Sequence, residues 1–418
     1  MATRNSRVLK NFQHLALIQG VNMLTPLLTL PYMARILGLD GLGLLATATA
    51  VCTLFAVAID WGFNLTGVRA VSVNRHDSDK LCQLVSTVLA AKIIISVACL
   101  AALALAAICF ETVRSHIDVF LLTFLFVATQ SLVPTWVFQG LERLDFPAVV
   151  TTIGKLTFAV LLFTFVRSPS DVAAVPLINL CIAATSLLAT SAALRKRHHI
   201  KWARPSYKWI TKALRDGRAI FLATAAGLVY SQGPIILLNW LTDLSTVGKY
   251  SIAQKISVVA VSAFQSYSQA IFPSLSLRWV ENPRSFASHV TKYIAGAQAI
   301  SLCLLLTLCI FAPQIYFYAT TSTDAAGINA IHYWLAASQF IVLSVTINPA
   351  LVALGRDQDL AKMYMVLAAL FAGYSWYLTQ TLQLKGMLIA ILIAEASIGI
   401  ASVAILWHRS RPNTQVLT

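Results

Sequence analysis

Apolar residues fall in long runs along this chain, among them 44–58, 84–110, 119–138 and 387–406, and short charged segments separate them. At ~1.5 Å rise per residue, a helical run of about 20 residues matches a hydrocarbon core about 30 Å thick. The pattern predicts an all-α membrane protein of about 12 transmembrane helices. They fall near residues 13–34, 44–67, 83–109, 119–139, 147–166, 172–194, 219–241, 249–272, 293–312, 327–351, 363–383 and 387–407. Composition supports this. Of 418 residues 58% are apolar and 11% charged, against roughly 25% charged in soluble domains, which excludes a water-soluble fold.

Charge then orients the spans. Of the 31 Lys and Arg, 23 fall in alternate segments beginning with the N-terminus, five in the others and three inside spans. Basic residues are retained on the cytoplasmic side, so both termini are expected there. The same asymmetry accounts for the net charge of +15, and no nucleic-acid partner is needed to explain it. The first apolar run follows Arg4, Arg7 and Lys10 and continues to Met33 without a small-residue cleavage site. That span is expected to stay in the membrane. The seven cysteines are odd in number and form no CxxC pair, so they read as small buried hydrophobes.

The richest basic segment divides the chain into a six-helix lobe (1–194), a basic cytoplasmic linker (195–218) and a second six-helix lobe (219–418). Trp202 and Trp209 suit the linker to the interface, where anionic membrane lipids could meet its charges. PTWVFQG (134–140) and PALVALG (349–355), each followed by charged residues, suggest a parallel repeat of the two halves.

Polar side chains inside spans are the functional candidates, because a charge at a helix centre costs ~2.5 to 3.5 kcal/mol on insertion scales. In the eighth span Ser251, Gln254, Lys255, Ser262, Gln265, Ser266 and Gln269 lie within about 60° of one line, as a cavity wall or a seam of helix–helix hydrogen bonds would require. A weaker stripe in the first span holds Gln19, Asn22, Thr25 and Thr29, with Pro26 and Pro31 interrupting its backbone bonding. Lys92, Lys155 and Lys255, with Arg35 at the end of the first span, would make a lumen cationic toward phosphate; alternatively each lysine pairs with a buried acid. Glu395 lies near mid-span with no cation one turn away, so it needs a distant partner, a proton or a bound cation. Asp60 could pair with Arg69 or reach the interface. No phosphate-binding G-x-x-x-x-G-K-[ST] loop, HExxH pair or His/Cys cluster occurs, so no cofactor, metal or enzymatic chemistry is expected.

ARILGLDGLG (34–43), DWGFNLTGVRAVS (60–72), WVFQGLERL (136–144), IFPSLS (271–276) and ALGRDQ (353–358) resemble, in order, the signatures of O-antigen flippases. These form the polysaccharide-transport branch of the multidrug/oligosaccharidyl-lipid/polysaccharide exporter superfamily. One departure is Leu39-Asp40, where family members often carry Pro-Glu. The resemblance implies two lobes around a central cavity bordered by the first, second, seventh and eighth spans. It further implies an undecaprenyl-pyrophosphate-linked glycan as substrate, delivered across the bacterial inner membrane. Without an ATP-hydrolysing loop, transport would draw on an ion or substrate gradient, with H+ or Na+ as coupling ion and Glu395 and Asp60 as candidate carriers. An O-antigen polymerase and a chain-length regulator would be partners in lipopolysaccharide biosynthesis. Two rival readings are a drug or metabolite cation antiporter of the same superfamily, and a membrane glycan polymerase or ligase.

Overall fold

The structure, a computed structural model, describes residues 2–198, 200–281 and 283–409. Side chains are described at Thr25 and from Leu28 onward, except at 199, 269, 270, 272, 273, 276, 278–280, 282–285, 287, 357 and 408–418. The chain divides into two compact units, Met1–Leu228 and Val229–Thr418. The first holds α1 (Ala2–Asp60), α2 (Phe63–Val73), α3 (Ser78–Cys109), α4 (Glu111–Ser115), α5 (Ile117–Leu132), α6 (Thr135–Gly140), α7 (Asp145–Phe165), α8 (Ala174–Arg197) and most of α9 (Tyr207–Ser231). The second holds α10 (Gly233–Leu241), α11 (Leu244–Glu281), α12 (Pro283–Ile310), α13 (Ala312–Thr320), α14 (Ala325–Ala353) and α15 (Asp357–Arg409). No strand occurs among the described residues, as befits a chain whose backbone groups must be satisfied without water.

Eight helices among the described residues are long and apolar enough to cross a membrane, or nine when α9 and α10, bent by 46°, count as one span. Two of these segments, Leu28–Val73 and Gln358–Trp407, have 46 and 50 residues, about 70 Å at helical rise. That is more than twice a hydrocarbon core, and each is broken: α1 at Gly38 (φ 72°) and α15 at Gln383 (φ 51°). Helix α11 has the length to span, but its polar stripe lowers its hydropathy.

Three expected spans are not continuous helices. The second breaks at Trp61 (φ 43°) and Gly62 (φ 79°), because left-handed backbone cannot continue an α-helix. The fourth breaks at Val133-Pro134, where proline supplies no N–H. The seventh breaks at Gln232, just before Pro234. The linker is also more ordered than expected: α8 runs to Arg197 and α9 begins at Tyr207. Between them the backbone N–H groups of Lys201 and Ala203 donate to Cys82 Sγ (3.1 Å) and Ser86 Oγ (2.8 Å), fastening the segment to α3.

In the first unit Phe63, Val85, Val88, Trp136, Phe138 and Leu194 form a core that draws α2, α3, α6 and α8 together. In the second unit α11 packs on α14 through Val261, Phe264 and Val342. The arms of α15 on either side of Gln383 approach closely at Gly386, where any Cβ would strike the Leu378 carbonyl.

An ion pair fastens the start of α11 to the start of α14. Lys249 Nζ lies 2.7 Å from Asp324 Oδ2, and Asp324 also caps α14 by accepting from the Ala326 N–H. The hydrogen bond from Lys249 holds the Asp324 carboxyl below its ordinary range. A depressed carboxyl stabilises the fold above its unfolded pKa, and that contribution is lost as pH falls through the folded value. Lys249→Met should therefore lower the melting temperature of purified protein by about 2 °C at pH 7. The difference from wild type should vanish in acid, as followed by tryptophan fluorescence on heating.

Candidate functional site

The best-defined polar constellation lies in the first unit, where two helix breaks meet. The break after α1 leaves Asp60 at a helix end; Trp61 turns away, donating its indole N–H to the Leu214 carbonyl (2.8 Å) and stacking on Phe221 (4.2 Å, 10°). The break at Pro134 strips the Ser131 carbonyl of its helical donor, since the Thr135 N–H donates to Val133 instead. Lys92, from α3, satisfies both. Its ammonium donates to Asp60 Oδ1 and to the Ser131 carbonyl, each at 2.7 Å, while Asn64 donates to Asp60 Oδ2 at 2.9 Å. The side chain of Lys92 is 1% exposed and that of Asp60 31%.

Lys92 thus does not line an aqueous lumen. Burying an ammonium costs several kcal/mol after relaxation unless a carboxylate and further acceptors surround it, and both are present here. Asp60 takes Lys92 as its partner, not Arg69. Its exposed edge lines a cavity of about 420 Å³ with Asn64, Gln130, Ser131, Trp136 and Gln139.

The other expected residues are distributed differently. Lys155 is half-buried on α7 and has a partner. Arg35 is exposed and likewise engaged. In the α11 stripe Lys255, Gln265 and Ser266 are exposed, Gln254 and Ser262 half-buried, and Ser251 buried. Ser262 donates to the Val259 carbonyl of its own helix. The side chains of Gln19, Asn22 and Gln269 lie outside the described residues.

Glu395, on the second arm of α15, is 7% exposed and forms no ion pair among the described residues. Four phenols, Tyr230, Tyr250, Tyr364 and Tyr374, lie near enough for its carboxylate to act on each electrostatically. The Tyr230 and Tyr250 hydroxyls are buried without a well-formed hydrogen bond. Tyr374 donates to the Ala390 carbonyl (3.3 Å), and Tyr364 accepts from Asn348 (3.0 Å). Sequence reasoning missed this group, whose members come from three separate helices, α9, α11 and α15. It also passed over Gln130, Asn64 and Trp136; the last lay in a quoted motif but read as an apolar residue. No group of three metal-ligating side chains occurs among the described residues.

A bundle of long apolar helices with polar groups at helix breaks defines the class, a multi-pass α-helical membrane protein. Over 94% of this chain and 87% of the other, it matches the Lipid II flippase MurJ in an inward closed conformation, with a TM-score of 0.71 at 12% identity. Over 93% and 98% it matches a multidrug resistance MATE family transporter in an inward-facing conformation, with a TM-score of 0.67 at 15% identity. The chain belongs to the polysaccharide biosynthesis protein family, whose model matches residues 8–279. Two curated relatives, each provisionally named an O-antigen transporter, come from Shigella dysenteriae and Escherichia coli K12. The first is 26% identical over 93% of this chain and 97% of its own length, the second 28% identical over 68% of each.

Asp60→Ala should strand the Lys92 charge at a cost of about 3 kcal/mol and sharply reduce membrane abundance, measured with a fluorescent fusion. Adding Lys92→Met should restore most of it. Equal loss in the single and double variants would show that the pair is not what holds these breaks together.

Proposed function

We propose that this protein is a flippase of the bacterial inner membrane. It carries an undecaprenyl-pyrophosphate-linked oligosaccharide, the O-antigen repeat unit, from the cytoplasmic to the periplasmic leaflet by alternating access. Family membership and the names of the two relatives support the substrate class. The observation that carries the transport reading is Glu395: a carboxylate inside the membrane, without a cationic partner among the described residues, surrounded by phenol groups.

Such a group is stable in hydrocarbon when it carries a proton or a bound cation, and unstable when bare. Loading and unloading Glu395 from opposite sides gives the cycle its direction, with H+ or Na+ as the coupling ion. Tyr230 and Tyr250, whose hydroxyls lack good partners, supply donors to the bare carboxylate and soften its exposure during exchange. For the substrate, the difficult step is moving a pyrophosphate and sugars past lipid tails. The exposed Lys255 and Gln265 of α11 furnish charge and hydrogen bonds that replace water at the headgroup, while the polyprenyl tail stays in lipid. An O-antigen polymerase and a chain-length regulator act on the product.

Complementation tests this directly. In a strain lacking its own flippase, the wild type should clear the accumulated lipid-linked repeat unit. Glu395→Gln should clear it at least tenfold more slowly at equal membrane abundance, and Lys255→Gln should slow it as well. Full clearance by Glu395→Gln would remove the coupling role, and no clearance by the wild type would overturn the flippase reading.

A further inference from the structure

The cavity beside Asp60 has a chemistry that singles out its ligand. Its one ionised group is matched: Asp60 Oδ1 is bound by Lys92 and Oδ2 by Asn64. The pair leaves the cavity with no net charge, so it offers nothing extra to a phosphate and nothing to a free cation. What remains are neutral hydrogen-bonding groups without protein partners. The buried Trp136 side chain lines the space as an apolar wall. Gln130 and Gln139 carry amides that are exposed and make no side-chain hydrogen bond among the described residues. Each amide offers two donors and an acceptor.

The walls are built, not incidental. Both helix breaks border this space, and Lys92 ties the two breaks to each other from behind. Trp136 is held by α2, where a Cβ at Gly67 would come within 2.7 Å of its ring. A volume of about 420 Å³ accommodates one or two pyranose rings, and at its low end matches the range usual for ligand pockets. The site also lies at the end of the spans that the charge bias assigns to the cytoplasm.

We infer that this cavity is a recognition subsite for uncharged sugar hydroxyls, separate from the groups that meet the pyrophosphate. Gln130 and Gln139 make paired bonds to vicinal hydroxyls, with the Trp136 indole as part of the apolar wall beside them. Its position gives it the glycan on entry, before the headgroup crosses. This inference rests on the flippase reading, and it adds that sugar specificity is set within the first unit by neutral amides, not by the lysines.

The test uses full-length protein in lipid nanodiscs and two probes examined separately: the oligosaccharide released from the host's lipid-linked repeat unit, and inorganic pyrophosphate. Saturation transfer from protein to sugar protons should be clear in the wild type. It should fall at least fivefold in Gln130→Ala/Gln139→Ala, whose side chains are exposed and whose loss leaves packing intact. The phosphorus line broadening of pyrophosphate should be unchanged by these substitutions. Undiminished sugar signal in the double variant, no sugar signal in the wild type, or pyrophosphate displacing the sugar would each overturn the inference. Complementation run alongside separates the two levels. Clearance by the wild type with undiminished sugar transfer in the double variant sinks the subsite and leaves the flippase reading standing, whereas failure of the wild type to clear the repeat unit sinks that reading itself.

Discussion

The first unit depends on one buried ammonium. Lys92 meets two breaks at once, taking the carboxylate that the α1 break exposes and the carbonyl that Pro134 orphans. Without such a donor, neither break could sit among apolar side chains, because an unmatched carbonyl or carboxylate in hydrocarbon costs several kcal/mol. Both breaks are needed for the cavity, since continuous helices would close the space between α2, α5 and α6. The charge pair is thus the means by which irregular backbone persists at membrane depth, and the cavity's neutrality is its electrostatic consequence.

Much of the architecture was legible in the sequence. Apolar run lengths and the distribution of Lys and Arg gave the helical membrane class, and short motifs gave the family. The breaks were partly legible too: Gly62 and Pro134 stand in the quoted motifs, although the runs around them read as unbroken spans. Gln383 was not legible, because a non-glycine residue at φ 51° is dictated by the tight turn between the arms of α15 and carries no compositional mark. Partner choice was the least accessible layer. Lys92 and Asp60 are 32 residues apart, and Trp61 and Leu214 are 153 apart; periodicity on one helix says nothing about which residue another helix presents. Charge counting could show that Lys92 and Asp60 were costly, but only packing could show that they offset one another.

The second unit handles its intramembrane acid in a different way. Asp60 is matched by a fixed cation, which makes it structural; Glu395 is surrounded by groups that can donate a hydrogen but cannot neutralise a charge. A permanent ion pair would stabilise Glu395 and remove its freedom to exchange. Phenols leave that freedom in place, because they tolerate both the charged and the uncharged carboxyl. The same residue class is thus paired as a staple in one unit and, on the proposed flippase reading, exchangeable in the other, and the partner decides which.

The near-contact of Gly386 with the Leu378 carbonyl has a consequence for biogenesis. It registers the two arms of α15 against each other, so Tyr374 and Glu395 are placed by one hairpin that is synthesised after α9 and α11. Tyr230 and Tyr250 are made well before it and enter the bilayer with phenol hydroxyls that have no carboxylate to face. Arrival of the hairpin ends that interval, so a chain released before α15 is made would carry a polar gap that quality-control proteases could recognise.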